Sequence, residues 1–281
     1  MTEKQTKIHE QCLKLLNKFI EVCDKHNLNW FLDGGSLLGA VRDGGMIEWD
    51  DDIDVVMPRK DYNYLIMNCQ TDFDEPFFLQ TPQTDKYFEV HAKIRLDNTT
   101  SLTQRECTGM HHRGMFLDIF PLDNVADYEQ AKALCGFVKT IGKYSSVKYA
   151  GDKMSTSFLQ ENKIFDYMNC ILEDISETNR NSEYIADVVF YRYMDIDKPL
   201  PVFSKEDYKG YLLVPFKGLD KTVRIPVGYD DILTQWYGAS WSIPKQQQSC
   251  HNSFVDPDTS YFEYNCDTKE DFEKLLKNNQ I

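Results

Sequence analysis

The run from Phe31 to Met57 constrains the fold of this chain more than any other stretch. It opens on apolar residues that read as a buried strand. Gly34-Gly35-Ser36 follows and leads into a short helical pattern ending near Arg42. A glycine pair ahead of a helix lets the backbone approach a ligand closely. The first helical N–H groups point outward, which suits a phosphate. Gly44-Gly45 then turns the chain, and a group of carboxylates leads into a strand over Ile53–Met57. Along an extended run side chains alternate faces, so Asp50, Asp52 and Asp54 are expected on one face and Asp51 on the other. Three carboxylates on one face repel each other. A hard divalent cation, Mg²⁺ or Mn²⁺, removes that cost and binds through carboxylates and substrate phosphates.

A second stretch, Met115–Asp123, places one charge, Asp118, inside an otherwise apolar strand. A buried carboxylate without a partner is expensive. Asp118 therefore either serves a site or pairs with a core arginine. Phe88–Leu96 alternates, with Phe88, Val90, Ala92, Ile94 and Leu96 on one face and Glu89, His91, Lys93 and Arg95 on the other. Lys93 and Arg95 fit either a face turned to the acidic site or a solvated sheet surface. Arg59 and Lys60, just past the carboxylates, either reach a phosphate or balance Asp61. Asp123 is read as ending its strand or capping the element after it.

The 281 residues carry a net charge of −14, which argues against a broad nucleic-acid-binding face. An acidic chain that handles a phosphorylated donor needs cations, in agreement with a metal site. The eight cysteines are scattered without zinc spacing, and the amino terminus has no secretory apolar segment, so the thiols are read as reduced and the chain as cytoplasmic. No apolar run approaches the ~20 residues needed to span a bilayer.

Periodicity predicts an amphipathic helix over 3–27, with Ile8, Cys12, Leu15, Leu16, Phe19, Ile20 and Cys23 on its apolar side. It predicts further helices over 60–69, 127–149, 157–178, 229–237 and 268–279. Strands are expected over 76–81, 191–194 and 223–227, with irregular chain over 97–114 and 203–220. Tyr144, Tyr149, Phe158, Phe165 and Tyr167 are expected mostly in the core. The aromatic residues as a group could also build a cage for a quaternary ammonium, with no particular rings singled out.

Gly34-Gly35-Ser36-Leu37-Leu38-Gly39-Ala40-Val41-Arg42, then Trp49-Asp50-Asp51-Asp52-Ile53-Asp54 and Pro58-Arg59-Lys60-Asp61-Tyr62, closely resembles the LicD family of phosphocholine and phosphoalcohol transferases, which includes the fukutin-related proteins. Leu117-Asp118-Ile119-Phe120-Pro121-Leu122-Asp123 resembles it as well, and Ile225–Leu233 with Tyr237-Gly238 does so more weakly. Glu48 stands where the family usually has Pro. The basic residues that usually come after the last motif are poorly represented in Pro244-Lys245-Gln246-Gln247-Gln248. The resemblance implies an α/β nucleotidyltransferase-like fold: a mixed twisted sheet with flanking helices. It implies a single catalytic domain, with its core in about 1–125 and elaboration over 126–281. It implies Asp52, Asp54 and Asp118 as metal-holding catalytic carboxylates, and Gly35, Ser36, Arg42 and Arg95 as contacts to phosphate or nucleotide. The implied reaction moves a phosphoalcohol, foremost phosphocholine, from a CDP-alcohol donor such as CDP-choline to a glycan hydroxyl, releasing CMP. The acceptor would be a lipopolysaccharide or teichoic acid precursor, lipid-linked in one form, met at the inner face of the membrane. The alternatives are a nucleotidyltransferase releasing pyrophosphate and a non-catalytic nucleotide- or glycan-binding module.

Overall fold

The computed structural model describes residues 1–85, 89–104, 106–107, 111–147, 163–190, 200–245 and 253–278. Its helices and strands are, in chain order, α1 (Glu3–His26), β1 (Phe31–Leu32), α2 (Gly34–Arg42), β2 (Asp54–Pro58), α3 (Arg59–Asn68), β3 (Phe77–Gln80), β4 (Ala92–Leu96), β5 (Thr100–Thr103), β6 (Met115–Val125), α4 (Tyr128–Val147), α5 (Ile164–Thr178), β7 (Tyr184–Ala186), β8 (Phe203–Ser204), β9 (Tyr211–Pro215), β10 (Thr222–Pro226), α6 (Tyr229–Tyr237), β11 (Ser253–Asp256) and α7 (Lys269–Asn278).

Helix α1 forms where its spacing predicts. The Thr2 hydroxyl accepts from the Gln5 N–H at 3.1 Å, and Asn27 closes the helix in the left-handed region at φ 53°. All seven apolar residues expected on its inner side are buried against β4 and β6. Each of the larger aliphatic and aromatic ones contributes about 1.5–3 kcal/mol relative to exposure.

The main sheet runs β1-β2-β6-β4-β3, with β7 on the far end of β6 and β8 on β7. Strands β2 and β6 are parallel, and the remaining pairs are antiparallel. This is the mixed α/β architecture expected. The register places two rows across one face. Asp33, Asp54, Asp118 and Lys93 form the first; Phe31, Val56, Phe120 and His91 form the second. Below the other end of the sheet Arg59 forks onto Asp123, two bonds of 2.7 Å each, and reaches Asn169 at 3.1 Å. Arg59 and Asp123 therefore form a buried structural pair, in place of the phosphate contact and strand cap considered for them.

Other expectations change. Residues 97–114 contain β5, and its partner β11 comes from some 150 residues later, beyond the reach of any local pattern. Residues 203–220 contain β8 and β9. The latter shows no alternation, because Tyr211, Leu212 and Leu213 are all exposed. Cys107 and Cys266 are joined as a disulfide across a sequence separation of 159, inside a small cluster with Leu102, Phe254 and Phe272. Uniformly reduced thiols were the wrong expectation for that pair. Phe165 is buried, but Tyr167 is exposed. Phe88, Tyr149, Phe158, the 191–194 strand and the side chain of Tyr144 lie outside the described residues. Among the described residues, no helix is long and apolar enough to cross a membrane.

Candidate active site

The site is built where β2 and β6 run side by side. Asp54 opens β2 and stands opposite Asp118 on β6. Residues 50–53 are not a strand; they wrap in front of it. Carboxylate oxygens of Asp52, Asp54 and Asp118 consequently lie within 4.8 Å of one another, and those of Asp50, Asp51 and Asp52 form an overlapping group. Asp51 joins Asp50 and Asp52 in that second group, where strict alternation would send it to the opposite face.

Helix α2 is aimed at the cluster from its glycine end. Gly34 has φ +51°, and a Cβ there would stand 3.5 Å from Asp54 Oδ2. A Cβ on Gly35 would lie 2.8 Å from Asp50 Oδ2, closer than a side chain tolerates. Glycine is needed so that carboxylates and helix terminus can meet. The Ser36 hydroxyl accepts from the Asp54 N–H at 3.0 Å and ties α2 to β2. Gly39 holds the same helix against the next turn, where a Cβ would be 2.4 Å from the Gly45 carbonyl.

Electrostatics divide the carboxylates into two kinds. Burial, then Asp52 and Asp118, push the Asp54 carboxyl well above its ordinary range. Burial with Asp52 and Asp51 raises Asp50 to about 8. Asp118 differs. Burial opposes its ionisation, but Lys93 Nζ at 2.6 Å and His91 Nε2 at 3.1 Å outweigh that and hold the carboxyl well below its usual value. Lys93 also lies 3.6 Å from the centre of the Phe116 ring. Burial lowers the His91 imidazole despite Asp118, so the ring favours its neutral form with Nε2–H donated to the carboxylate.

Of the residues singled out in the sequence, Asp52, Asp54, Asp118, Gly35 and Ser36 come together. Arg42 and Arg95 do not join them. Arg42, at the far end of α2, forks onto its neighbour Asp43 at 2.9 and 2.7 Å. Arg95 is fully buried and donates to Gln80 at 2.7 Å, Glu106 at 2.7 Å and the Gly114 carbonyl at 2.9 Å. Its guanidinium is taken up in the core, away from both a phosphate and a solvated surface. His91 was missed as a site residue. It stands two places before Lys93 on the same face, and that alternation was the available signal. A separate His26, Cys69 and Asp72 group also gathers ligand-type atoms, but Asp72 there accepts from both Lys25 and His26.

A parallel strand pair bearing register-matched carboxylates, met by a glycine-led helix, defines a nucleotidyltransferase-type domain with a candidate cation site. The donor set fits a hard divalent ion in being all carboxylate oxygen and crowded, while Lys93 already offsets the charge of Asp118. Residues 27–134 match the family described as LicD/FKTN/FKRP, nucleotidyltransferase domain. The chain is 27% identical over 262 residues to the lipopolysaccharide cholinephosphotransferase LicD of Haemophilus influenzae, an alignment covering 87% of this chain and 95% of that protein. The chain is thus similar to the LicD family across residues 27–134 and to one cholinephosphotransferase over most of its length.

Proposed function

We propose that this protein transfers a phosphoalcohol, foremost phosphocholine, from a CDP-alcohol to a hydroxyl of a cell-surface glycan precursor and releases CMP. The observation that carries the reading is the convergence of Asp52, Asp54 and Asp118 at the start of α2. The likeness to a lipopolysaccharide cholinephosphotransferase supports the choice of group and acceptor. Asp52, Asp54 and Asp118 would hold one or two Mg²⁺ or Mn²⁺ ions, which supply charge neutralisation on a diphosphate. Backbone N–H groups of Gly35 and Ser36 would meet phosphate oxygens at the positive end of α2. Asp118, clamped in its ionised form by Lys93 and His91, acts in this scheme as a fixed charge.

Transfer forms a bond from the acceptor oxygen to the phosphorus bearing the alcohol, breaks the bond from that phosphorus to the oxygen that leaves with CMP, and releases the hydroxyl proton to water. The test incubates protein, Mg²⁺, CDP-choline and a choline-free lipopolysaccharide core, with products read by mass spectrometry. Phosphocholine on the glycan matched by CMP is the expected result. Pyrophosphate from a nucleoside triphosphate together with a nucleotidylated acceptor would overturn it in favour of nucleotidyl transfer.

A further inference from the structure

Two buried carboxyls stand next to the acidic cluster and form no ion pair among the described residues. Asp33 precedes α2 in the N-cap position, where an aspartate ordinarily caps the helix. It makes no side-chain cap hydrogen bond. Its carboxyl is buried and faces the Trp236 indole. Asp187 is 1% exposed. Its Oδ1 accepts from the N–H groups of Val189 at 3.0 Å and Phe190 at 2.8 Å, fixing the backbone that carries Phe190. Its Oδ2 has no hydrogen-bond partner among the described residues, and neither does Asp33 Oδ1. The two carboxyls are electrostatic neighbours, and both act on the Tyr208 hydroxyl. Two carboxyls buried together ionise only at a cost, which burial relieves by favouring the protonated form and which a cation arriving from outside would relieve instead.

The walls around them are aromatic. Phe190 and Trp236 meet at right angles with ring centroids 5.3 Å apart, and both are half-buried. Phe190 meets Phe120 in the same way at 5.3 Å, and Phe120 stacks on His91 at 4.6 Å. The wall thus leads back to the imidazole that holds Asp118. The acid end is equally close to the reaction centre, because the Asp33 N–H donates to the Asp54 carbonyl at 3.1 Å. Aromatic rings flanked by carboxyls, Asp33 beside Trp236 and Asp187 beside Phe190, attract a weakly hydrated cation that has no hydrogen to donate. In a phosphocholine group such a cation is separated from the phosphorus by an oxygen and two carbons. That short tether matches a cation subsite one strand away from the metal-holding carboxylates.

We propose that Asp33, Asp187, Phe190 and Trp236 form the subsite for the trimethylammonium head of the transferred group, and so select a cationic alcohol over a neutral one. The inference rests on the phosphoalcohol-transfer reading. Its test therefore begins with binding, which needs no turnover. Choline and its uncharged isostere 3,3-dimethylbutan-1-ol are titrated into the full chain by calorimetry, and contacts from the choline methyls to the Trp236 indole are sought by NMR. Choline is expected to bind about tenfold or more tightly than the isostere, with methyl-to-indole contacts. Asp187→Asn and Trp236→Leu are each expected to remove that preference; Phe190→Leu serves in place of either variant that fails to fold. CMP release is then compared for CDP-choline and the CDP ester of the isostere, and the parent's preference is expected to collapse in the same variants. Equal binding of choline and isostere by the parent, or a preference unchanged in the variants, overturns the subsite even if CMP is released. Choline bound with the expected variant losses, but no CMP from any CDP-alcohol, leaves the subsite standing and removes the transfer reading.

Discussion

At the scale of single residues the site is a balance between carboxylates that repel and one that is clamped. Asp50 titrates near 8 and Asp54 well above its ordinary value, so between 3.8 and about 8 the folded chain holds more protons than the unfolded one. Stability linked to these groups is present at low pH and is lost as pH rises through that window. The melting temperature of the metal-free protein is therefore expected to fall from pH 5 to pH 8. Added Mn²⁺ should raise it, and more at pH 8 than at pH 5, because bound metal favours the ionised form. A metal increment that shrinks with rising pH would contradict this. Asp118 behaves in the opposite way. Asp118→Asn strands the buried Lys93 charge and should cost about 3 kcal/mol, and Lys93→Met, which strands Asp118, a similar amount. The double variant should lose clearly less than the sum, as denaturant titration of the four proteins would show. Additive losses would mean that the pair is not coupled.

At the scale of elements, α2 is positioned by what its glycines leave out. Gly39→Ala puts a methyl group 2.4 Å from the Gly45 carbonyl and must push α2 off its turn, so it should lower stability by more than 1 kcal/mol. Gly136→Ala in α4 meets nothing within 4 Å and should raise stability by about 0.4–1 kcal/mol. Thermal melts of the two variants that move in the same direction would refute this account of α2. The contrast also shows what could be read beforehand. Helices α1, α2, α3 and α6 and strands β2 and β6 were legible because their apolar spacing and their cap and turn residues act locally. The β5–β11 pairing, the Arg59–Asp123 fork and the burial of Arg95 were not legible, because each depends on partners brought close only by the fold. Arg95 looked available on an alternating face, and only tertiary packing places Gln80, Glu106 and the Gly114 carbonyl around it.

At the scale of the whole molecule, an acidic chain of net charge −14 gathers still more negative charge at the edge where β2, β6 and α2 meet. The sequence pointed to that place through Asp52, Asp54 and Asp118, while the aromatic wall and the buried Asp33 and Asp187 emerged only from folding. A protein that concentrates carboxylates there and also handles a diphosphate requires a cation between the two. Mn²⁺ makes this measurable, because a bound paramagnetic ion speeds the ³¹P relaxation of nearby phosphates. With the intact protein and Mn²⁺, both phosphorus signals of CDP-choline are expected to broaden strongly. In the Asp52→Asn/Asp54→Asn double variant, checked by circular dichroism to be folded, the broadening should vanish together with Mn²⁺ binding. Undiminished broadening in the folded double variant, or Mn²⁺ that binds the parent without touching either phosphorus, would contradict the assignment of these carboxylates as the cation site that receives the donor.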